Sequence, residues 1–128
     1  MFKATFFAMG LAMVATVATA NSPVATPDPD MAVSAARNQL GVLEYCEAEG
    51  HIDGEAAEVQ AKMIGMLPAA TDEDAAVEAY EKGKEGTVSA MGVEQTLADA
   101  AKAQGVEEVA LCDQLAQMVV QAGAQLPQ

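Results

Sequence analysis

The sequence predicts an all-α protein, a small bundle of four to five helices with one inter-helix disulfide. Apolar residues recur every three or four positions in successive segments, and each segment is bounded by Gly or Pro. No stretch beyond the N-terminus alternates β-branched and polar residues as a half-buried strand would. The two cysteines, Cys46 and Cys112, fall on the apolar stripes of two different segments.

At 128 residues the chain is one domain at most. Residues 1–20 read as a signal peptide and stand outside it. Lys3 supplies a positive start, residues 4–17 are uncharged and rich in Phe, Ala, Met and Val, and Ala18-Thr19-Ala20 offers the small-x-small pattern of a cleavage site. The expected cut falls between Ala20 and Asn21, which places the protein in the periplasm or outside the cell. The apolar run is shorter than the roughly 20 residues a membrane span needs, and Pro23 follows closely.

Cleavage changes the composition in an informative way. It removes Phe2, Phe6 and Phe7, leaving Tyr45 and Tyr80 as the only aromatic residues. It also removes Lys3, taking the formal charge from -13 to -14. The core must then be built from Ala, Val, Leu, Ile and Met, which bury less area each than aromatics. A core this thin gains from a covalent link. Two cysteines in an oxidising compartment usually pair, and closing 46 to 112 is worth about 4 kcal/mol by loop-closure entropy.

Residues 21–29 are a tether, because Pro23, Pro27 and Pro29 remove backbone donors and Val24 is the only large apolar residue. The bundle domain then covers 30–126. Its first helix is expected over 30–49, capped by Asp30, stopped by Gly50, and striped by Val33, Ala36, Leu40, Leu43 and Cys46 or Glu47. Gly41 lies inside it at a cost of about 1 kcal/mol relative to Ala. Close approach of another helix would explain that glycine.

The second helix is expected from Asp53 to just before Pro68, with Ile52, Ala56, Val59, Met63 and Leu67 as its stripe. Thr71 and Asp74 resemble a capping box opening a third, which carries Ala76, Val77 and Tyr80 and ends near Lys84 or runs on weakly toward Met91. A fourth covers 93–104 and is stopped by Gly105. The fifth, 106–122, is striped by Val109, Cys112, Leu115 or Ala116, and Val119, with Leu111, Met118 and Leu126 widening the face.

Four chemical signals are weak. Residues 96–115 have the outline of a helix-turn-helix, but Lys102 is their one cation against Asp99, Glu107, Glu108 and Asp113, so no nucleic acid partner is expected. Glu44, Glu47, His51 and Asp53 are the nearest thing to a metal set, yet Gly50 should end the helix between Glu47 and His51; no metal or cofactor is expected. Ser22, Ser34 and Ser89 lack a nucleophile setting, His51 is the sole histidine, and no CxxC occurs, so the protein is not expected to be an enzyme. Segment 106–122 is interrupted by Asp113, Gln114, Gln117 and Gln121, which makes it amphipathic rather than spanning.

The segment Asn38-Gln39-Leu40-Gly41-Val42-Leu43-Glu44-Tyr45-Cys46, with an export signal ahead of it and Ala-rich helices ending around Cys112 behind it, resembles small alphaproteobacterial proteins of the pore-forming, early-secreted-antigen-like family. The resemblance spans most of the chain after residue 20. It implies a helical hairpin with a Trp-x-Gly turn and a pore-forming activity; this chain has no Trp. More loosely, an exported helical protein with one long-range disulfide is similar to the periplasmic acid-stress chaperones.

The function expected from these readings is non-catalytic interaction with a protein or envelope partner, by a monomer or weak oligomer. Pore formation or membrane binding, at acid pH in particular, and an acid-activated chaperone are the alternatives. The export reading has a direct test. Intact-mass measurement of the protein from a cell envelope should find a chain beginning at Asn21, and a chain retaining Met1 in the membrane fraction contradicts it.

Overall fold

The computed structural model describes residues 28–90 and 92–127. The expected leader, its expected cut between Ala20 and Asn21 and residues 21–27 of the expected tether lie outside the described residues. The order of elements is α1 (Pro29–Ala48), α2 (Glu55–Gly65), α3 (Glu73–Lys84), β1 (Thr87–Ala90), β2 (Val93–Thr96), α4 (Leu97–Gln104) and α5 (Glu108–Ala124). The protein is a small all-α bundle of five helices with one short hairpin inserted between α3 and α4.

Helix α1 starts one residue earlier than its expected cap. Pro29, whose missing N–H costs nothing in a first turn, occupies the start, and Asp28 is the cap, accepting from the Asp30 amide at 3.0 Å. Asp30 is thereby released for a different role. It accepts from the Thr71 amide at 2.7 Å and from the Thr71 hydroxyl, tying the start of α1 to the turn before α3. With Thr71 so engaged, Asp72 caps α3 through the Ala75 amide, in place of the expected Thr71 box.

The α1 axis is the centre of the bundle. Its buried residues are Val33, Asn38, Gly41, Val42, Leu43 and Cys46, which occupy more than one face. Helix α3 crosses it so closely that the backbones touch. A Cβ on Gly41 would lie 2.2 Å from the Tyr80 carbonyl oxygen, and one on Gly83 would lie 2.2 Å from that of Asn38. The glycine inside α1 is there because the α3 backbone fills the space of its side chain.

The hairpin corrects the expectation that no strand follows the tether and that the fourth helix begins at Val93. Thr87 pairs with Thr96, Val88 with Gln95, Ser89 with Glu94 and Ala90 with Val93, across the two-residue connection 91–92, where Gly92 has φ +77°. Four residues are too few to show a period in sequence, and a pair of such strands is marginal alone. Asn38 supports it from α1. Its amide donates to the carbonyls of Ala79 (2.9 Å) and Thr87 (3.0 Å), and its oxygen accepts from the Ser89 amide (2.9 Å). Gly86 turns the chain from α3 into β1 at φ +85°, with the Tyr45 ring against its Cα.

Two apolar clusters flank α1. Val42, Cys46, Leu97 and Cys112 form one, with Tyr45, Ile52, Val88, Leu111 and Leu115 around them; Leu43, Ala56 and Val119 form the other. Cys46 and Cys112 are bonded inside the first cluster, with their α-carbons 5.7 Å apart. Leu67, Val77, Val109 and Met118 satisfy the helical period but are exposed. The stripe on each short helix is narrower than the period alone implies.

The crossing predicts the sign of two glycine substitutions. Gly41→Ala should destabilise the protein by about 1–3 kcal/mol or more, because the clash is with backbone that cannot rotate away. Gly65→Ala, at a helical position with open space, should be neutral or stabilising by up to about 1 kcal/mol. Chemical denaturation of both variants measures the contrast.

Candidate functional site

Among the described residues, the feature least explained by folding is a face without charge. The hairpin, α4 and α5 enclose a groove of about 440 Å³ lined by Val88, Val93, Gln95, Leu97, Ala100, Gln104, Leu111, Gln114, Leu115 and Met118. It shares Val88 and Leu115 with a second hollow of about 250 Å³ against Ala35, Asn38, Gln39 and Val42. That hollow in turn shares Ala35 and Gln39 with a third, about 350 Å³, between α1 and α2 at Met63, Ile64 and Leu67. No ionisable side chain lines any of the three. In a protein with 19 carboxylates against six Lys and Arg, that is a selective depletion of charge.

Each wall has a local cause. On α5, Leu111, Gln114, Leu115 and Met118 follow i, i+3, i+4, i+7, so they share one face. Cys112 and Val119 turn inward beside them and hold α5 to α1. On β2, Val93 and Gln95 point to the groove because alternate residues share a side. Thr96 caps α4 through the Asp99 amide at 3.1 Å, and Gly105, at φ +68°, closes it. Two exposed apolar side chains stand at the mouth: Val93 is 68% accessible and Met118 53%.

The buried polar groups beside these hollows are organised. Gln60 donates to the Ala36 carbonyl (3.0 Å) and to Gln39 Oε1 (3.2 Å), leaving its own Oε1 buried without a partner among the described residues. On the far face of the hairpin, Lys82 binds Glu78 at 3.0 Å and also Glu94. These contacts, Glu94 foremost, raise the Lys82 pKa, while the two Thr71 bonds lower that of Asp30.

The residues weighed from sequence are arranged differently. Cys46 and Cys112 form the expected bridge and are not free thiols. Glu44 accepts from the Tyr80 hydroxyl, and Asp53 accepts from the Glu55 amide at 3.1 Å. Among the described residues, no three His, Cys, Asp or Glu side chains gather as metal ligands. The segment with the helix-turn-helix outline folds as α4 and α5, with Gly105 ending α4. Among the described residues, no helix is long and apolar enough to cross a membrane. Sequence reasoning missed the groove. The one available signal was the run of glutamines at Gln95, Gln104 and Gln114 where an acidic surface would ordinarily carry Glu.

No protein-family model, curated protein or solved structure matches the chain.

Both tyrosines lie against carboxylates, reached from adjacent positions of α1. The neighbouring Glu108 carboxylate, then burial, pushes Tyr45 up to about 12; hydrogen bonding to Glu44, then burial, does the same for Tyr80. A raised folded-state value means the stabilisation is complete below the ordinary value of 10.0 and is lost as pH rises through about 12. Absorbance titration of tyrosinate should therefore give midpoints near 12, moving toward 10 in denaturant, with the melting temperature falling across that window.

Proposed function

We propose that this protein works by non-catalytic binding, outside the cytoplasm, with the uncharged groove as its contact surface for a protein partner. The observation that carries this reading is the depletion of ionisable side chains from three adjoining hollows in a strongly acidic chain. Apolar contact free of charge is what the centre of a binding surface requires, since unpaired charges there are costly to desolvate. The acidic remainder keeps the protein soluble and discourages contact elsewhere. The buried disulfide supports an oxidising compartment.

Met118, exposed on the wall of the groove, favours a second reading in which the same surface holds unfolded clients in acid. Methionine is flexible and adapts to varied apolar shapes. As pH falls past the carboxylate range near 4, repulsion between the 19 acidic groups fades.

Photo-crosslinkers placed at Met118 and at Val77, both exposed, separate the readings when the protein is in its native envelope. A partner protein joined from position 118 and not from 77, and lost when Val93→Glu places a charge at the mouth, is the expected result. Crosslinks that ignore Val93→Glu, together with suppression of client aggregation near pH 3, favour the holdase. Dye release from liposomes that ignores it favours a membrane activity.

A further inference from the structure

The hairpin has one edge packed on α1 and one edge open to solvent. In its register Ala90 and Val93 close the connection, Val88 and Gln95 exchange bonds, and Leu97 donates to the Gly86 carbonyl at 2.9 Å. The backbone groups of residues 87, 89, 94 and 96 therefore point away from the partner strand. The β1 edge faces α1, whose Asn38 takes the Thr87 carbonyl and the Ser89 amide. On the β2 side the amides of Glu94 and Thr96 and the Glu94 carbonyl have no partner among the described residues. All four β2 residues are exposed.

We propose that β2 accepts a third strand, an extended basic segment of a partner protein with apolar residues at alternate positions. Strand addition uses the unpaired backbone groups for affinity and the flanking surface for selection. Here the two faces of β2 differ. Side chains of an added strand beside Val93 and Gln95 enter the groove against Leu111, Gln114 and Met118, where charge is absent. Those beside Glu94 meet the other face, where the carboxylates of Glu78 and Glu94 share the single cation Lys82. That face carries surplus negative charge, within a chain of formal charge -13. Apolar on one side and cationic on the other is the complement. A second copy of this acidic chain brings the opposite charge pattern. The proposal rests on the groove being the binding surface and specifies how its partner enters.

The test uses the full chain, disulfide intact, and a blocked peptide of alternating lysine and valine. The decisive variant is Glu94→Pro. It removes an outward N–H that the β1–β2 ladder does not use, as an edge strand tolerates. Glu94→Gln removes the same carboxylate and keeps the N–H. Binding should weaken severalfold in Glu94→Gln and by about tenfold or more again in Glu94→Pro. Rising salt should weaken it, and a glutamate-for-lysine peptide should not bind. All variants should keep the wild-type circular dichroism spectrum.

In the peptide-free chain the Glu94 and Thr96 amides should exchange with solvent freely, and the peptide should protect them. Protection at every concentration without peptide means residues 1–27 already fill the edge; protection only at high concentration means a second copy does. Either overturns the proposal, as does a peptide that binds no variant. Equal binding by Glu94→Pro and Glu94→Gln, lost in Val93→Glu, overturns strand addition while leaving the groove reading intact.

Discussion

The architecture depends on one backbone-to-backbone contact, the crossing of α1 and α3 at Gly41 and Gly83. Each glycine removes the side chain that would hold the other helix away. Only at that separation does Asn38, one turn before Gly41, reach the Ala79 carbonyl on α3 and two outward groups of β1, the Thr87 carbonyl and the Ser89 amide. Asn38 thus acts as a stub of a third strand, built from a side chain. Its amide spends both donors and its acceptor on backbone groups that burial would otherwise leave unpaired. The hairpin exists because two helices are close enough for an asparagine to replace its missing neighbour.

The bundle meets the shortage of aromatic residues by two means. One is close helix packing through Gly, where dispersion between backbones replaces large side chains. The other is the disulfide in the cluster of Val42 and Leu97, which ties α5 to the same helix. Neither depends on the charged surface. The carboxylates are therefore free to be numerous, and the uncharged face stands out against them. Glu44 and Tyr45 show how economical α1 is: neighbouring positions reach carboxyl–phenol pairs on α3 and α5 respectively.

Much of the fold was legible in the sequence, and the gaps have physical causes. A bundle of four to five helices followed from spacing and stops, and the Cys46–Cys112 bridge from two cysteines in a chain read as exported. Gly41 carried a visible question that the structure answers. Asn38 was hidden because a polar residue inside a helix reads as solvent-facing until a partner is known. Val42 was hidden because α1 is buried on several faces, which blurs a single stripe. Val77 and Val109 show the reverse error, apolar periodicity on helices too short or too peripheral to cover it. The hairpin could not be read because its support comes from residue 38, about fifty positions away. The groove could not be read because its walls come from four elements, joined only in the folded state.

The position of the disulfide also sets how the molecule carries mechanical load. A pull applied to the two chain ends enters through α1, passes from Cys46 to Cys112 across the sulfurs, and leaves through α5. The covalent shortcut spans a separation of 66 residues, so α2, α3, the hairpin and α4 hang as a closed ring beside the line of tension. None of that ring can be drawn out while the bridge holds. Extension is confined to the residues before Cys46 and after Cys112, and the walls contributed by the hairpin and α4 lie within the slack part of the chain.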